Sequence, residues 1–277
     1  MAKKKFFDAM ASDINRGDYL MSIKESEKQK NNVMLSIIIP TLNEEEGIAK
    51  VICSIPKEIK DQSEVIVVDV SADLTPIIAE RLGAKVIRAE IKGKGRQMRK
   101  GVEHSQGEIL IFLDGDGTDP PQYIPKLLEK LEEADLVLGC RSMGNFRTDD
   151  KSMRRVFKVY GFFIRPLFRL INFKASDPLA GFRVIRKKDW QKLDLESNDF
   201  KIETEMNIKV MKQGFVVKEV AIPHLKRCGG GLKASKLVYN PRQWFEISKT
   251  FFKYLEEEKL TSRIKNLELK VRSKFKI

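Results

Sequence analysis

Five short apolar runs, each followed by a polar stretch with helical periodicity, set the rhythm of the first half of the chain. "MLSIIIP" is rich in β-branched residues and closed by Pro40, which marks a buried strand. In "NEEEGIAKVICSIPKEI" Asn43 stands at a capping position and the glutamates suit a first helical turn. Ile48, Val51, Ile52 and Ile55 recur there on one face, so a helix is expected. "EVIVVD" reads as a second strand, "ADLTPIIAERLGA" as a helix stopping at Gly83, and "KVIRA" as a third strand. A basic turn and helix, "GKGRQMRKGVEHSQG", precede the strongest strand, "EILIFLD". "PPQYIPKLLEKLEEA" then predicts a helix and "DLVLGC" a fifth strand. Strands alternating with helices at this spacing call for a Rossmann-like α/β fold, with a mostly parallel central sheet flanked by helices.

In such sheets the ligand lies beyond the carboxyl ends of the strands. Residues 40–44, 69–73, 92–96 and 114–119 therefore converge, and three of these four segments carry carboxylates. The densest is "LDGDGTDPP", with Asp114, Asp116 and Asp119 at the end of a greasy strand. Their mutual repulsion needs a counter-charge. Gly115 and Gly117 allow the loop to turn both leading aspartates inward. Mg²⁺ or Mn²⁺ suits such a pair, because both ions take oxygen ligands and often share them with water and substrate phosphates. Taken alone, the motif fits a solvated Asp-Gly turn equally well. Its place after a buried strand, beside the other strand ends, favours a site.

Composition narrows the class. With 42% hydrophobic residues over 277 positions the chain can bury a sizeable core. Cys53, Cys140 and Cys228 are widely spaced without a CxxC, which suggests reduced thiols. His104 and His224 cannot build a zinc motif between them. No apolar run approaches about 18 residues, so no transmembrane helix is expected. The opening "MAKKKFFDAM" lacks the apolar core of a secretory signal. Residues 1–33 read as a polar extension, 34–240 as the α/β domain that carries the acidic strand end and 241–277 as a basic, amphipathic helical tail.

The net charge of +13 is local: residues 226–277 hold 14 Lys/Arg against 5 Asp/Glu, and residues 141–174 hold 9 against 2. Nucleic acid and an anionic membrane surface are the two partners such patches fit. In "MRRVFKVYGFFIRPLFRLINFK", Arg154, Lys158, Arg165 and Arg169 fall within roughly 60° on a helical wheel, while Phe162, Phe163 and other apolar residues fill much of the rest. A wide apolar face with a narrow basic stripe suits a helix lying in a membrane interface, bent at Pro166. A core helix whose arginines reach solvent gives the same pattern. Trp244 and Phe251 share a face of the tail, which either docks on the membrane too or forms a solvated helix pair or dimer contact. The patches lack a nucleic-acid motif, so no nucleic-acid partner is expected.

"SIIIPTLNEEE", "VIVVDVSADLTPIIAE", "GKGRQMRKG", "ILIFLDGDGTDPPQ", "DLVLGCR" and "DPLAGFRVIRKKDW" follow the order found in inverting family 2 glycosyltransferases of the GT-A fold. The chain resembles that family over about residues 35–237. It looks most like the branch that makes polyprenyl-phosphate sugars, the dolichyl-phosphate mannose, glucose and N-acetylglucosamine synthases. The resemblance implies a nucleotide-sugar donor, a dolichyl or polyprenyl phosphate acceptor, and Mg²⁺ or Mn²⁺. It implies that Pro40, Leu42 and Glu44 hold the base and ribose, with Leu42 standing where an aromatic residue is common. Asp69, Ser71, Asp73 and Thr75 match the family's D-x-S-x-D-x-T, with Asp69 toward the base. Lys94 lies in the GKG turn of the nucleotide-sugar site. Asp114 matches the aspartate facing sugar and nucleotide, Asp116 the principal metal ligand, and Thr118 a further ligand position. Arg141, Arg183, Arg227 and Lys236 match cations around the two phosphates. Asp114, Asp116 and Arg183 are thus the expected catalytic residues.

The chemistry is coherent on its own terms. Displacing a nucleoside diphosphate from an anomeric carbon needs positive charge at the leaving group. A hydroxyl acceptor also needs a general base, for which Asp177, Glu203 and Glu205 are candidates. A lipid phosphate is already an anion and needs cations instead, which suits a chain rich in arginine and poor in histidine. Within the resemblance, Leu42 and Thr118 depart from the mannose enzymes, which implies a UDP-sugar donor, N-acetylglucosamine or glucose first, with transfer at the cytosolic face of the membrane.

Overall fold

The computed structural model describes residues 34–141, 162, 165, 166, 168–223, 225–229, 248, 249, 251–253 and 256. Among them seven strands form one sheet: β1 (Leu35–Thr41), β2 (Ser63–Asp69), β3 (Lys85–Arg88), β4 (Ile109–Phe112), β5 (Leu136–Cys140), β6 (Arg183–Arg186) and β7 (Val217–Ala221). The spatial order is β3-β2-β1-β4-β6-β5-β7. The helices are α1 (Ile48–Cys53), α2 (Lys57–Lys60), α3 (Thr75–Arg81), α4 (Lys94–Glu103), α5 (Ile124–Leu131), α6 (Lys187–Lys192) and α7 (Lys201–Lys212).

All five expected strands are present, and β1 to β4 are mutually parallel. The strand pleat divides the core in two. Ile37 and Ile39 of β1 pack with Val65, Val67, Ile111 and Val137 on the face covered by α1, α3 and α5. Ile38 points the other way, with Phe112, Leu136, Trp190 and Met206, toward α4, α6 and α7. Burial on both faces accounts for the near-continuous apolar runs.

Two strands were not legible. β6 is antiparallel to both β4 and β5 and separates them, with Phe112 and Leu138 each opposite Arg183. Its four residues, "RVIR", are too few and too charged at the ends for periodicity to mark. β7 pairs parallel with β5 at the sheet edge. The first helix also differs from expectation. Asn43 does not cap it but takes a left-handed conformation, φ 57°, and α1 starts only at Ile48, breaking before Pro56.

Of the residues expected to meet a membrane, Arg154, Lys158, Phe163 and Trp244 lie outside the described residues, as do 1–33. Phe162 is exposed, and so is Arg169; Arg165 is half-buried, its Nε donating to the Ser176 carbonyl at 2.6 Å. Phe251 is a correction. It is buried against Phe168, the ring centroids 5.6 Å apart, and belongs to the core. No helix among the described residues is long and apolar enough to cross a membrane.

Candidate active site

The loops after β1 and β2 are laced together by short polar side chains. Asp69, at the end of β2, is fully buried. Its carboxylate accepts from the Thr41 hydroxyl at 2.7 Å, from the Ser71 N–H at 3.0 Å and hydroxyl at 2.5 Å, and from Arg88. Four donors fill a carboxylate's capacity, so Asp69 anchors the loops instead of facing a base, a correction to the expectation. Ser71 in turn accepts from the Asn43 N–H at 2.7 Å, and Asn43 Oδ1 from the Ala72 N–H at 3.0 Å. Asp73 turns back on Thr75, its Oδ1 accepting from the hydroxyl at 2.5 Å, while Oδ2 accepts from the Glu45 N–H at 3.4 Å. Gln97 ties both strands to α4 by donating to the carbonyls of Thr41 and Val68. Pro40 is half-buried at the strand end and Leu42 is exposed on the rim.

Beside this scaffold the acidic strand end meets three cations. Lys94, at the first residue of α4, places its Nζ 2.6 Å from Asp114 Oδ1 and 2.7 Å from Glu203 Oε1. Burial disfavours its charge, but the two carboxylates outweigh this and hold the ammonium above its ordinary pKa. Burial likewise opposes ionisation of Asp114, yet Lys94, with Arg141 and Arg227 behind it, holds that carboxyl below its usual value. Arg227 binds both Asp116, at 2.8 Å, and Glu44. Arg141 sits 2.8 Å from Asp177. The repulsion posed by the sequence is thus offset within the protein.

It is offset unevenly. Burial, with Asp116 adding repulsion, pushes Glu44 up to about 7. Burial and the Asp114 charge push Asp119 up to about 7 as well, although Asp119 accepts a hydrogen bond from the Asp114 N–H. The site therefore holds carboxylates of two kinds, some committed to charge and some balanced near neutral pH.

Glycine permits the close approach. A Cβ on Gly181 would stand 2.5 Å from Asp114 Oδ2. At Gly95 and Gly93 it would strike the carbonyls of Ser197 and Asn198, so the GKG turn seats directly on that loop.

Arg183 departs from expectation. Its side chain is fully buried, and Nε, Nη1 and Nη2 donate to Ala180 O, Asn207 Oδ1 and Pro178 O at 2.8, 2.7 and 2.9 Å. It braces the 178–180 turn from within and does not reach the phosphate side of the site. Lys236 lies outside the described residues. Reading residue by residue missed the pairing of Glu203 with Lys94 and of Asn207 with Arg183. Both are four apart on α7, among Ile202, Met206 and Val210, and polar residues on a buried helical stripe were the available signal.

The three carboxylates weighed as general bases are all engaged. Asp177 is paired with Arg141 and Glu203 with Lys94. Glu205 accepts from the N–H groups of Glu196 and Ser197 and pairs with Lys209. As for a metal, no group of three or more His, Cys, Asp and Glu forms a ready cage among the described residues. Asp114, Asp116 and Thr118 carry oxygen donors of the type a hard cation takes, its remaining ligands being left to a diphosphate and water, and in the structure Lys94, Thr118 and Arg227 occupy carboxylate oxygens of the two aspartates.

Residues 36–193 match the model of glycosyl transferase family 2. Over 227 residues the chain is 32% identical to the low-salt glycan biosynthesis hexosyltransferase Agl6 of Haloferax volcanii, covering 79% of this chain and 54% of that one. The chain thus spans about half the length of this relative. It is 29% identical over 196 residues to the dolichyl-phosphate hexose transferase of the same organism, covering 70% of this chain and 84% of that one. Glucosyl-3-phosphoglycerate synthase from Mycobacterium tuberculosis, solved with Mn²⁺ and UDP-glucose, shares the fold at TM-score 0.61 and 23% identity, covering 83% of this chain and 82% of that one. With its sheet order, its acidic strand end and this match across more than half its length, the chain belongs to glycosyl transferase family 2.

Proposed function

We propose that the protein is an inverting glycosyltransferase that moves one sugar from a nucleotide-sugar to dolichyl or another polyprenyl phosphate. The observation that carries this reading is the pairing of Asp177, Glu203 and Glu205 each with a cation, in a site where Lys94, Arg141 and Arg227 surround the acidic strand end. Such a site suits an acceptor that is already an anion. The bond from the anomeric carbon to the donor phosphate breaks, and the nucleoside diphosphate leaves with its electron pair. An acceptor phosphate oxygen forms the new bond from the opposite face.

Lys94 fixes Asp114 and Glu203, whose carboxylates would accept from sugar hydroxyls. Pro40, Leu42 and Glu44 border the nucleotide, on loops that Asp69, Ser71 and Asp73 hold in register. Arg141 and Arg227 supply positive charge for the phosphates, with Lys236 as a further candidate. Asp116, with Thr118 and Asp114, would hold Mg²⁺ or Mn²⁺, which neutralises charge on the departing diphosphate when bound. Leu42 and Thr118 favour a UDP-sugar, N-acetylglucosamine or glucose. The name of the Haloferax dolichyl-phosphate hexose transferase supports the acceptor class. Exposed Phe162, Leu170 and Phe252, together with exposed Arg169 and Lys253, support peripheral docking on the anionic cytosolic leaflet.

The test offers the purified protein radiolabelled UDP-N-acetylglucosamine, UDP-glucose and GDP-mannose, each with polyprenyl phosphate and Mg²⁺ or Mn²⁺. Label should enter the organic phase from one donor, vanish with EDTA, and vanish in Asp116→Ala at an unchanged melting temperature. Release of nucleoside diphosphate with no lipid label would instead point to a soluble acceptor.

A further inference from the structure

Both oxygens of Asp116 are taken. Oδ1 accepts from the N–H and the hydroxyl of Thr118, at 3.0 and 2.6 Å, and Oδ2 accepts from Arg227 Nη1 at 2.8 Å. The Thr118 N–H belongs to the same tight turn as Asp116 and cannot leave without remaking it, so Oδ1 stays engaged. Arg227 is different. It is a long side chain reaching in from the loop after β7, and its second nitrogen spans to Glu44. The loop that carries it is fastened to the same turn, with the Cys228 N–H donating to the Asp116 carbonyl at 3.0 Å. Among the described residues Arg227 Nε is buried with no hydrogen-bond partner, while its two terminal nitrogens bridge the two carboxylates.

We infer that Arg227 and a divalent cation are alternative partners of Asp116 Oδ2, and that loading the metal requires the guanidinium to leave. A cation binding there by itself must break two ion pairs and strand a charged side chain. A nucleoside diphosphate arriving with the cation gives the freed guanidinium a new, doubly anionic partner of the geometry it binds best. Metal and diphosphate should therefore bind cooperatively, with Arg227 carrying the coupling. The argument rests on the metal role proposed for Asp116, and not on which sugar or acceptor is used.

The test measures Mn²⁺ binding to the full chain, by the electron paramagnetic resonance of the free ion, with and without UDP. Wild type, Arg227→Met and Arg227→Lys are compared, each checked by thermal melt. Arg227→Met should bind Mn²⁺ alone about tenfold tighter than wild type, the order of one lost ion pair. It should also gain far less from added UDP, with Arg227→Lys between the two. Mn²⁺ affinity in Arg227→Met equal to or below wild type, with the UDP effect unchanged, would overturn the exchange. No Mn²⁺ binding to any of the three proteins, with or without UDP, would overturn both the exchange and the metal role. Failure of sugar transfer to lipid phosphate, with the Mn²⁺ pattern as expected, would sink only the acceptor assignment.

Discussion

A buried arginine and a half-buried one illustrate how the same residue type divides between support and chemistry. Arg183 and Arg227 both stand in motifs that imply phosphate binding. Arg227 pairs with Asp116 and Glu44 at the acidic strand end, whereas Arg183 spends all three nitrogens on Ala180, Asn207 and Pro178. Removing Arg183 takes the donor from the Ala180 carbonyl and from Asn207 Oδ1 and leaves the Pro178 carbonyl with Asn207 Nδ2 alone, so Arg183→Ala should lower stability by about 2–4 kcal/mol. Arg183→Lys should recover little, because the three N–H groups of an ammonium radiate from one atom and cannot span acceptors that the guanidinium reaches from three separate nitrogens. Chemical denaturation measures both. Full stability with turnover lost would return Arg183 to the phosphate site. Sequence could not separate the two arginines: nothing local to "GFRVI" says that its third residue lies in a central strand between Phe112 and Leu138.

Among the elements, α7 ties the second half of the sheet to the site. Glu203 faces Lys94, Asn207 faces Arg183, and Glu205 closes the preceding turn by accepting from Glu196 and Ser197. That turn is the surface on which Gly93 and Gly95 rest, so Glu205 supports the GKG turn indirectly. Burial opposes the Glu205 charge, but the two N–H groups and Lys209 outweigh it and hold the carboxyl below its ordinary value. A depressed carboxylate adds stability above its unfolded pKa, about 4.3, and loses it as pH falls through the folded value. Wild type should therefore weaken steeply on acidification, and Glu205→Gln should be less stable near pH 7 with a flatter acid limb. Melting curves from pH 7 to 3 check this; parallel curves for the two proteins would contradict it.

For the whole molecule the question is where the positive charge is displayed. Phe251 lies in the core, while Phe162, Leu170 and Phe252 are exposed, as are Arg169, Lys249 and Lys253, among the described residues of these segments. Co-sedimentation with vesicles should need anionic lipid and weaken steeply with salt, since screening acts over about 8 Å at physiological ionic strength. Phe162→Ser with Arg169→Glu should reduce vesicle binding by several-fold and leave the melting temperature unchanged. Phe251→Ala should do the opposite, costing about 3 kcal/mol of stability through a core cavity. Binding indifferent to salt and lipid charge would make these basic surfaces something other than a membrane dock.

The first five strands, the helices between them and the convergence of carboxylates at the strand ends were determined by sequence alone, because burial on both sheet faces leaves continuous apolar runs and strand ends follow from them. The family motifs added roles to those positions. Only the tertiary structure decided how the positions divide. β6 inserts antiparallel between β4 and β5, and its opening residue carries Arg183 into the interior. Asp69 is consumed by four donors from three segments, while Glu203, far along the chain, becomes the second partner of Lys94. These outcomes depend on which groups meet across long sequence separations. A local pattern records what a residue can do; the partners it finds in the fold determine whether its charge is used for support or left at the site.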